Sequence, residues 1–382
     1  HGPVRPVTDG VLVTTSRMTH VAVDPLRRRA RVSAGARWSG VLEAAAPYGL
    51  AGVCGSSTSV GVVGFCVGGG MGPLSRQFGF GCDLVRGVEL VTADGVVRQV
   101  DAEHESDLFW AVRGGKGNFG VVTALELDLV PVARIYGGGV FFSGSSARDV
   151  LHSFRAWAPT LPDHAGTSVA LLRLPEIEAL PEPIRGRYVV QLRFSVNGSP
   201  AEGGELLAPM LDSGEVLLSG VGELPVTAID AIHQDPTDPM PVWERGSLLH
   251  SLPAAAVDAL LEEAGPHPSG PLAMVELRLM GGAMTRMPEV PNAASGREGA
   301  YSVLTLGVLA PEIAAAVPQA GRAVHDALSP WSTGTVPVNW LGDAHTPEEV
   351  AGAWTAEVHR RLLRIKHRTD PQNLFRSGHA LL

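Results

Sequence analysis

Residues 55–76 read GSSTSVGVVGFCVGGGMGPLSR, and Gly61, Gly64, Gly68, Gly69, Gly70 and Gly72 fall within twelve residues of it. Glycine at this density costs conformational entropy and needs a structural return. That return is a tight turn, or the close approach of the backbone to a ligand or another chain segment. Ser56, Ser57, Thr58 and Ser59 precede the glycines and supply hydroxyls and N–H groups. The combination suits a large polar ligand with carbonyl, sugar-alcohol and phosphate oxygens to satisfy. The stretch is no solvated linker, because Val60, Val62, Val63, Phe65, Cys66 and Val67 are interleaved with the glycines.

The rest of the composition narrows the class. With 382 residues, two domains are expected. A hydrophobic fraction of 45%, a charged fraction of 18% and a net charge of −9 describe a soluble globular protein. No basic stripe with interleaved aromatics points to nucleic acid, and no apolar run is long enough for a membrane span. Cys54, Cys66 and Cys82 have neither the number of a disulfide framework nor the paired spacing of a structural zinc site. They read as small buried hydrophobes, and no metal is expected.

Hydrophobic periodicity sets out the elements. Strands are expected at 11–15, 20–23, 85–92, 96–100 and 119–130, with helices at 37–48 and 107–113. After Pro131 strand-like runs recur at 138–142, 167–173, 187–195, 272–280 and 301–309. Helical stretches fall at 146–158, 254–264 and 311–328, giving an α+β unit with an antiparallel sheet. Residues 223–252, rich in Pro, Asp and His, read as a long loop. Residues 346–368 read as one amphipathic helix that stops at Asp370-Pro371.

Four blocks together resemble the FAD-linked oxidoreductases of the vanillyl-alcohol-oxidase superfamily, in the berberine-bridge-enzyme-like branch of bacterial type. His1-Gly2 resembles the end of an Arg-x-Gly-Gly-His loop, and Ser57 to Gly72 the family's glycine-rich block. ADGVVRQVDAEHESDLFWAVRGGKGNFGVVT at 93–123 and DPQNLFR at 370–376 complete the set. The resemblance covers most of the chain. It implies a two-part FAD-binding domain of the PCMH type, formed by 1–133 and 331–382, with a substrate domain of antiparallel sheet and helices inserted at 134–330. It implies that the family's first βαβ piece, roughly fifty to seventy residues, is absent before His1.

The resemblance also assigns roles. Ser57, Thr58, Val60, Gly61, Gly64, Cys66, Gly68, Gly69 and Gly70 would wrap the isoalloxazine and ribityl chain, with amides stabilising charge at flavin N1 and O2. Asn118, Phe119, Gly120 and Val122 would line the adenine and ribose. His1 would carry an 8α-histidyl bond to the flavin. Ser57 stands where bicovalent members have cysteine, so no second thioether is expected. Phe65 replaces a common histidine, and Cys66 occupies the position resembling the oxygen gatekeeper, where a small side chain favours O2.

The family's catalytic tyrosine has no counterpart, because Pro337-Val338-Asn339-Trp340 occupies its place. Glu276 and Arg278 on VELRLM alternate onto one strand face opposite Val275 and Leu277. They are the candidate catalytic pair, and a salt bridge on a solvated face is the other reading. Asn339, as a strand-borne polar residue, is the third candidate and also a cofactor contact. His233, Glu244, Arg245 and His250 read as surface residues of the long loop, and His359 as a surface or capping residue. The expected activity is oxidation of a small molecule or secondary metabolite, with hydride passing to flavin N5 and O2 giving H2O2. A sugar or oligosaccharide oxidase and a redox-silent FAD-binding protein are the alternatives. The expected protein is cytoplasmic, a monomer or homodimer, with a small-molecule substrate and O2 as its partners.

Overall fold

The computed structural model describes residues 10–267, 270–344 and 346–382. Two antiparallel sheets organise them. The first contains β1 (Val21–Asp24), β2 (Arg29–Ser33), β3 (Val85–Val91), β4 (Val97–Asp101) and β5 (Val121–Asp128), in the order β1-β2-β5-β3-β4. Asp94-Gly95 makes the β3–β4 turn: Gly95 has φ 77°, and Asp94 accepts from Thr92 Oγ1 and the Val96 amide. The second sheet has eight strands. β6 (Arg134–Ser143), β7 (Ala165–Arg173), β8 (Tyr188–Val196), β9 (Val216–Ser219), β10 (Gly222–Pro225), β11 (Val242–Leu249), β12 (Met274–Leu279) and β13 (Tyr301–Val308) run in the order β10-β6-β8-β7-β12-β13-β11, with β9 also on β6.

Helices complete each layer. Around the first sheet lie α1 (Trp38–Ala45), α2 (Val62–Val67) and α4 (Ser106–Gly115), whereas α3 (Ser75–Phe78) packs against β7 of the second sheet. One face of the large sheet packs on α5 (Ala147–Trp157), α6 (Pro200–Leu211), α7 (Ala254–Ala264) and α8 (Ala316–Ala327). Val140, Phe142, Val169, Leu192, Val275, Leu277 and Val303 supply that core, at alternate positions of their strands. The chain then returns through α9 (Pro347–Ala351) and α10 (Ala356–Thr369), and Val338, Trp354, Leu362 and Ile365 join the core built by residues 30–135. Among the described residues, no helix is long and apolar enough to cross a membrane.

The structure departs from the sequence expectations at four points. Residues 11–15 form no strand: Val11 and Leu12 are exposed and no described strand pairs with them. The stretch 223–252 is not one loop. VWERGSLL pairs along its whole length with β13 as β11, and the Pro-rich composition belongs to residues 235–241. The expected helix at 346–368 is two, each separately capped, by Thr346 with Glu349 and by Thr355. Asn339 stands on a single 3-10 turn, Val338–Trp340, rather than on a strand.

Candidate active site

The glycine-rich segment owes its glycines to two different causes. A Cβ on Gly68 would lie 2.0 Å from Asn339 Oδ1, one on Gly70 2.4 Å from the Phe65 ring, and one on Gly72 1.9 Å from the Cys54 carbonyl. These glycines let the protein pack on itself. Gly64 meets nothing within 4 Å and is exposed. It lies in the first turn of α2, which begins on Gly61, a residue with no side chain to cap it. The Val63 and Gly64 amides therefore have no intrahelical acceptor. An open glycine and free amides next to half-buried Ser56 and Ser57 fit a large polar cofactor approaching the backbone.

The side chains of this segment have protein partners. The Thr58 amide and hydroxyl both donate to Asp230, at 2.7 and 2.6 Å. Ser57 and Ser59 hydroxyls pair at 2.7 Å, and the Val60 carbonyl accepts from the Trp38 amide. Phe65 packs edge-on against Trp38 with centroids 5.4 Å apart, walled by Gly55, Gly70 and Gly81. Cys66 is buried in the core, and burial pushes its thiol well above the ordinary range. The Asn339 amide donates to the Phe65 carbonyl at 3.0 Å.

The 118–122 block is held from within. Asn118 donates to the carbonyls of Gly115 and His379 and accepts from the Leu381 amide, so its side chain pins the C-terminal segment. Phe119 is fully buried, and a Cβ on Gly120 would meet the Val91 carbonyl at 2.6 Å. Gly120 and Val122 are half-buried. His1 lies outside the described residues.

The second wall of the site is the polar face of the large sheet. Register places Gly139, Arg193, Ser168, Arg278 and Ser302 opposite one another across β6, β8, β7, β12 and β13. The next row contains Gln191, Ala170 and Glu276. Glu276 and Arg278 are thus on one face, but it is not solvated: they are 2% and 8% exposed. Glu276 Oε1 accepts from Ser168 Oγ at 2.6 Å, Arg193 Nη1 at 2.9 Å and Arg278 Nη2 at 3.1 Å. Burial alone would raise its carboxyl, but the Arg278 and Arg193 guanidiniums and the Ser168 hydroxyl outweigh it and hold the group below the usual carboxylate range.

A narrow cleft, partly open to solvent, lies between these walls, with Gly72, Pro73 and Arg76 on one side and Arg193, His233 and Arg278 on the other. Arg76 spans it, donating to the carbonyls of Ala165 at 2.8 Å, Leu161 at 3.0 Å and Met280. His233 is buried, not superficial as its loop composition suggests. Glu244 and Arg245 are half-buried on β11, whereas His250 is exposed. His359 stacks on Trp354 with centroids 6.1 Å apart. Sequence reasoning missed Arg76, Arg193, His233 and Asp230. Arg193 left a signal: Gln191, Arg193 and Ser195 are polar at alternate positions of an otherwise apolar strand, the mark of a polar second face.

Known proteins resemble the chain in sequence and in fold. Residues 1–101 match the FAD binding domain family. FAD-linked oxidoreductase YgaK of Bacillus subtilis is 26% identical over 385 residues, 97% of this chain and 81% of YgaK. (R)-6-hydroxynicotine oxidase of Paenarthrobacter nicotinovorans is 34% identical over 163 residues, 43% of this chain but only 32% of that one. The match to FAD-dependent monooxygenase prx3 of Penicillium roqueforti likewise spans 30% of its length. The crystal structure of 6-hydroxy-D-nicotine oxidase from Arthrobacter nicotinovorans aligns with a TM-score of 0.79 at 25% identity, over 96% of this chain and 80% of that one. A berberine-bridge-enzyme-like protein of Physcomitrella patens has the same fold, with a TM-score of 0.80 at 19% identity over the same shares. The fold is therefore that of a PCMH-type FAD-binding protein. The chain thus carries an FAD binding domain match over residues 1–101 and is similar to FAD-linked oxidoreductases, with berberine-bridge-enzyme-like proteins among its structural neighbours.

Proposed function

We propose that this protein is an FAD-dependent oxidase of a small molecule. The observation that carries the reading is a cleft between the end of the glycine-rich segment, at Gly72, Pro73 and Arg76, and a buried polar sheet face that bears Arg193, His233 and Arg278. In this reading bound FAD supplies two-electron oxidation of a substrate C–H and passes the electrons to O2, giving H2O2. Gly61, Gly64 and the Val63 and Gly64 amides would hold the cofactor, with His1 as its covalent attachment point and Ser57 unable to form a second thioether.

The protein's own residues then divide the remaining work. Arg278 faces the substrate, and Glu276 with Ser168 holds the guanidinium in place. Asn339 fixes the α2 backbone through Phe65 rather than acting as a base. Arg76 ties the glycine-rich segment to the substrate sheet and keeps the cleft closed at that edge. Glu276 accepts four hydrogen bonds from three side chains and stays ionised, so it is a poor proton acceptor. That observation favours the second reading, an FAD-binding protein without redox turnover.

A panel of alcohols, amines and aromatic metabolites, incubated with the purified flavoprotein, separates the two. Substrate-dependent bleaching of the flavin absorbance without oxygen, and H2O2 formation in air, are expected. Bound flavin that no compound bleaches would leave the redox-silent reading standing.

A further inference from the structure

The cleft holds more hydrogen-bond donors than acceptors. Arg76, Arg193 and Arg278 line it, and Glu276 is the buried carboxylate set among them. Asp163 and Asp235 stand farther off, 3.9 Å from Arg76 and 3.8 Å from Arg193, at more exposed positions. Arg76 is spent on main-chain carbonyls, and Arg193 on Gln191 and Glu276. Arg278 is not spent. Its Nη2 meets Glu276 and His233, but its Nε is buried without a partner, and Nη1 makes no hydrogen bond among the described residues.

His233 adds a second orphan. Its Nε2 lies 3.2 Å from Arg278 Nη2. A guanidinium only donates, so Nε2 accepts and the neutral ring's proton is assigned to Nδ1. Nδ1 is buried and also lacks a partner. Burial, with Arg193 and Arg278 beside it, keeps the ring neutral by lowering it to about 3. Both orphan atoms are therefore N–H donors. Buried donors are rarely left unmade, and what both lack is a hydrogen-bond acceptor, beside three guanidiniums and one buried carboxylate.

We propose that this cleft takes the carboxylate of an acidic small-molecule substrate, with Arg278 as its direct contact and the His233 Nδ1–H as a second donor. A planar carboxylate matches the guanidinium fork, and the Trp340 ring, 5.7 Å from Arg278 Cζ, offers an apolar flank for the rest of the molecule. The fate of the bound acid rests on the oxidase reading. Its recognition does not.

Isothermal titration of the purified flavoprotein with benzoate, benzamide and inorganic phosphate tests this. Benzoate is expected to bind at least about tenfold more tightly than the isosteric benzamide. Arg278→Gln should abolish that preference, and Arg278→Lys should keep part of it. Flavin content and the unfolding midpoint of each variant show whether it folds. If Arg278→Gln does not, the wild-type comparison and Arg278→Lys decide. Equal affinity of the wild type for benzoate and benzamide, or tighter binding of phosphate than of benzoate, would overturn the proposal. Flavin absorbance is read separately: a protein without flavin sinks the oxidase reading, while the acid preference stands or falls on the titration.

Discussion

Asn339 Nδ2 donates to the main-chain oxygen of Phe65 at 3.0 Å, and its Oδ1 fills the space a Cβ on Gly68 would need. One amide thus fastens the C-terminal return to the short glycine-rich helix and dictates a glycine one turn away. Asn339→Ala should cost about 1–3 kcal/mol by losing this bond. Gly68→Ala should cost about 1–3 kcal/mol by overpacking against Oδ1. The two are in contact, so they should not add: Gly68→Ala becomes cheaper once Asn339 is alanine. Urea unfolding of the four proteins measures the coupling, and an equal cost of Gly68→Ala in both backgrounds would refute it.

The large sheet was legible because its strands obey a two-residue period against a helical layer. VELRLM shows this directly: Val275 and Leu277 enter the helix-side core while Glu276 and Arg278 face the other way. Helix α2 was not legible, since VVGFCV sits among glycines that read as a loop and the helix is made by packing against Trp38 and Asn339. His233 was hidden for a similar reason. Its neighbours are Pro and Asp, but the preceding 3-10 segment folds over β6 and β8, and Gln191 Nε2 reaches the His233 carbonyl at 3.5 Å. Local composition carries no record of such long-range burial.

The Asp370-Pro371 helix stop conceals a buried ion pair. Lys366 Nζ lies 2.6 Å from Asp370 Oδ2, both side chains are fully enclosed, and the ammonium also donates to the carbonyls of Asn118 and Phe375. Asp370 accepts the Leu374 and Phe375 amides as well. Removing one partner strands a charge, so Lys366→Met should destabilise the protein by about 3–5 kcal/mol. The C-terminal segment pinned by Asn118 should become more sensitive to proteolysis. Lys366→Met at wild-type stability in urea would contradict this role.

Cys54, Cys66 and Cys82 are free, and each is at most 1% exposed. Burial pushes Cys54 up to about 12, and Cys66 and Cys82 also lie above the ordinary thiol range. Only the thiolate reacts, so none should be labelled by a disulfide reagent in the native protein at mildly alkaline pH, and all three should be labelled in denaturant. Rapid native labelling of Cys66 would show access from solvent that the packed core denies.

Acid should weaken the fold before its carboxylates titrate in bulk. His233, among Arg193, Arg278, Glu276 and Asp235, is lowered to about 3, chiefly by burial. His325, which contacts Ser247 and Thr305 and lies near Arg245 and Asp326, is lowered to about 4, again chiefly by burial. Below the unfolded histidine value of about 6.5 the unfolded chain takes up protons that the folded chain refuses. Stability therefore falls as pH drops from 6.5 toward 4, by up to about 1.4 kcal/mol per pH unit for each histidine. Glu276, held low in the fold, adds to the loss in the same direction below about pH 4.5. Urea midpoints between about pH 7.5 and 4.5 should trace this slope. His325→Asn, outside the candidate site, should flatten it. A stability independent of pH across that window, or an unchanged slope in His325→Asn, would count against neutral buried imidazoles in the native protein.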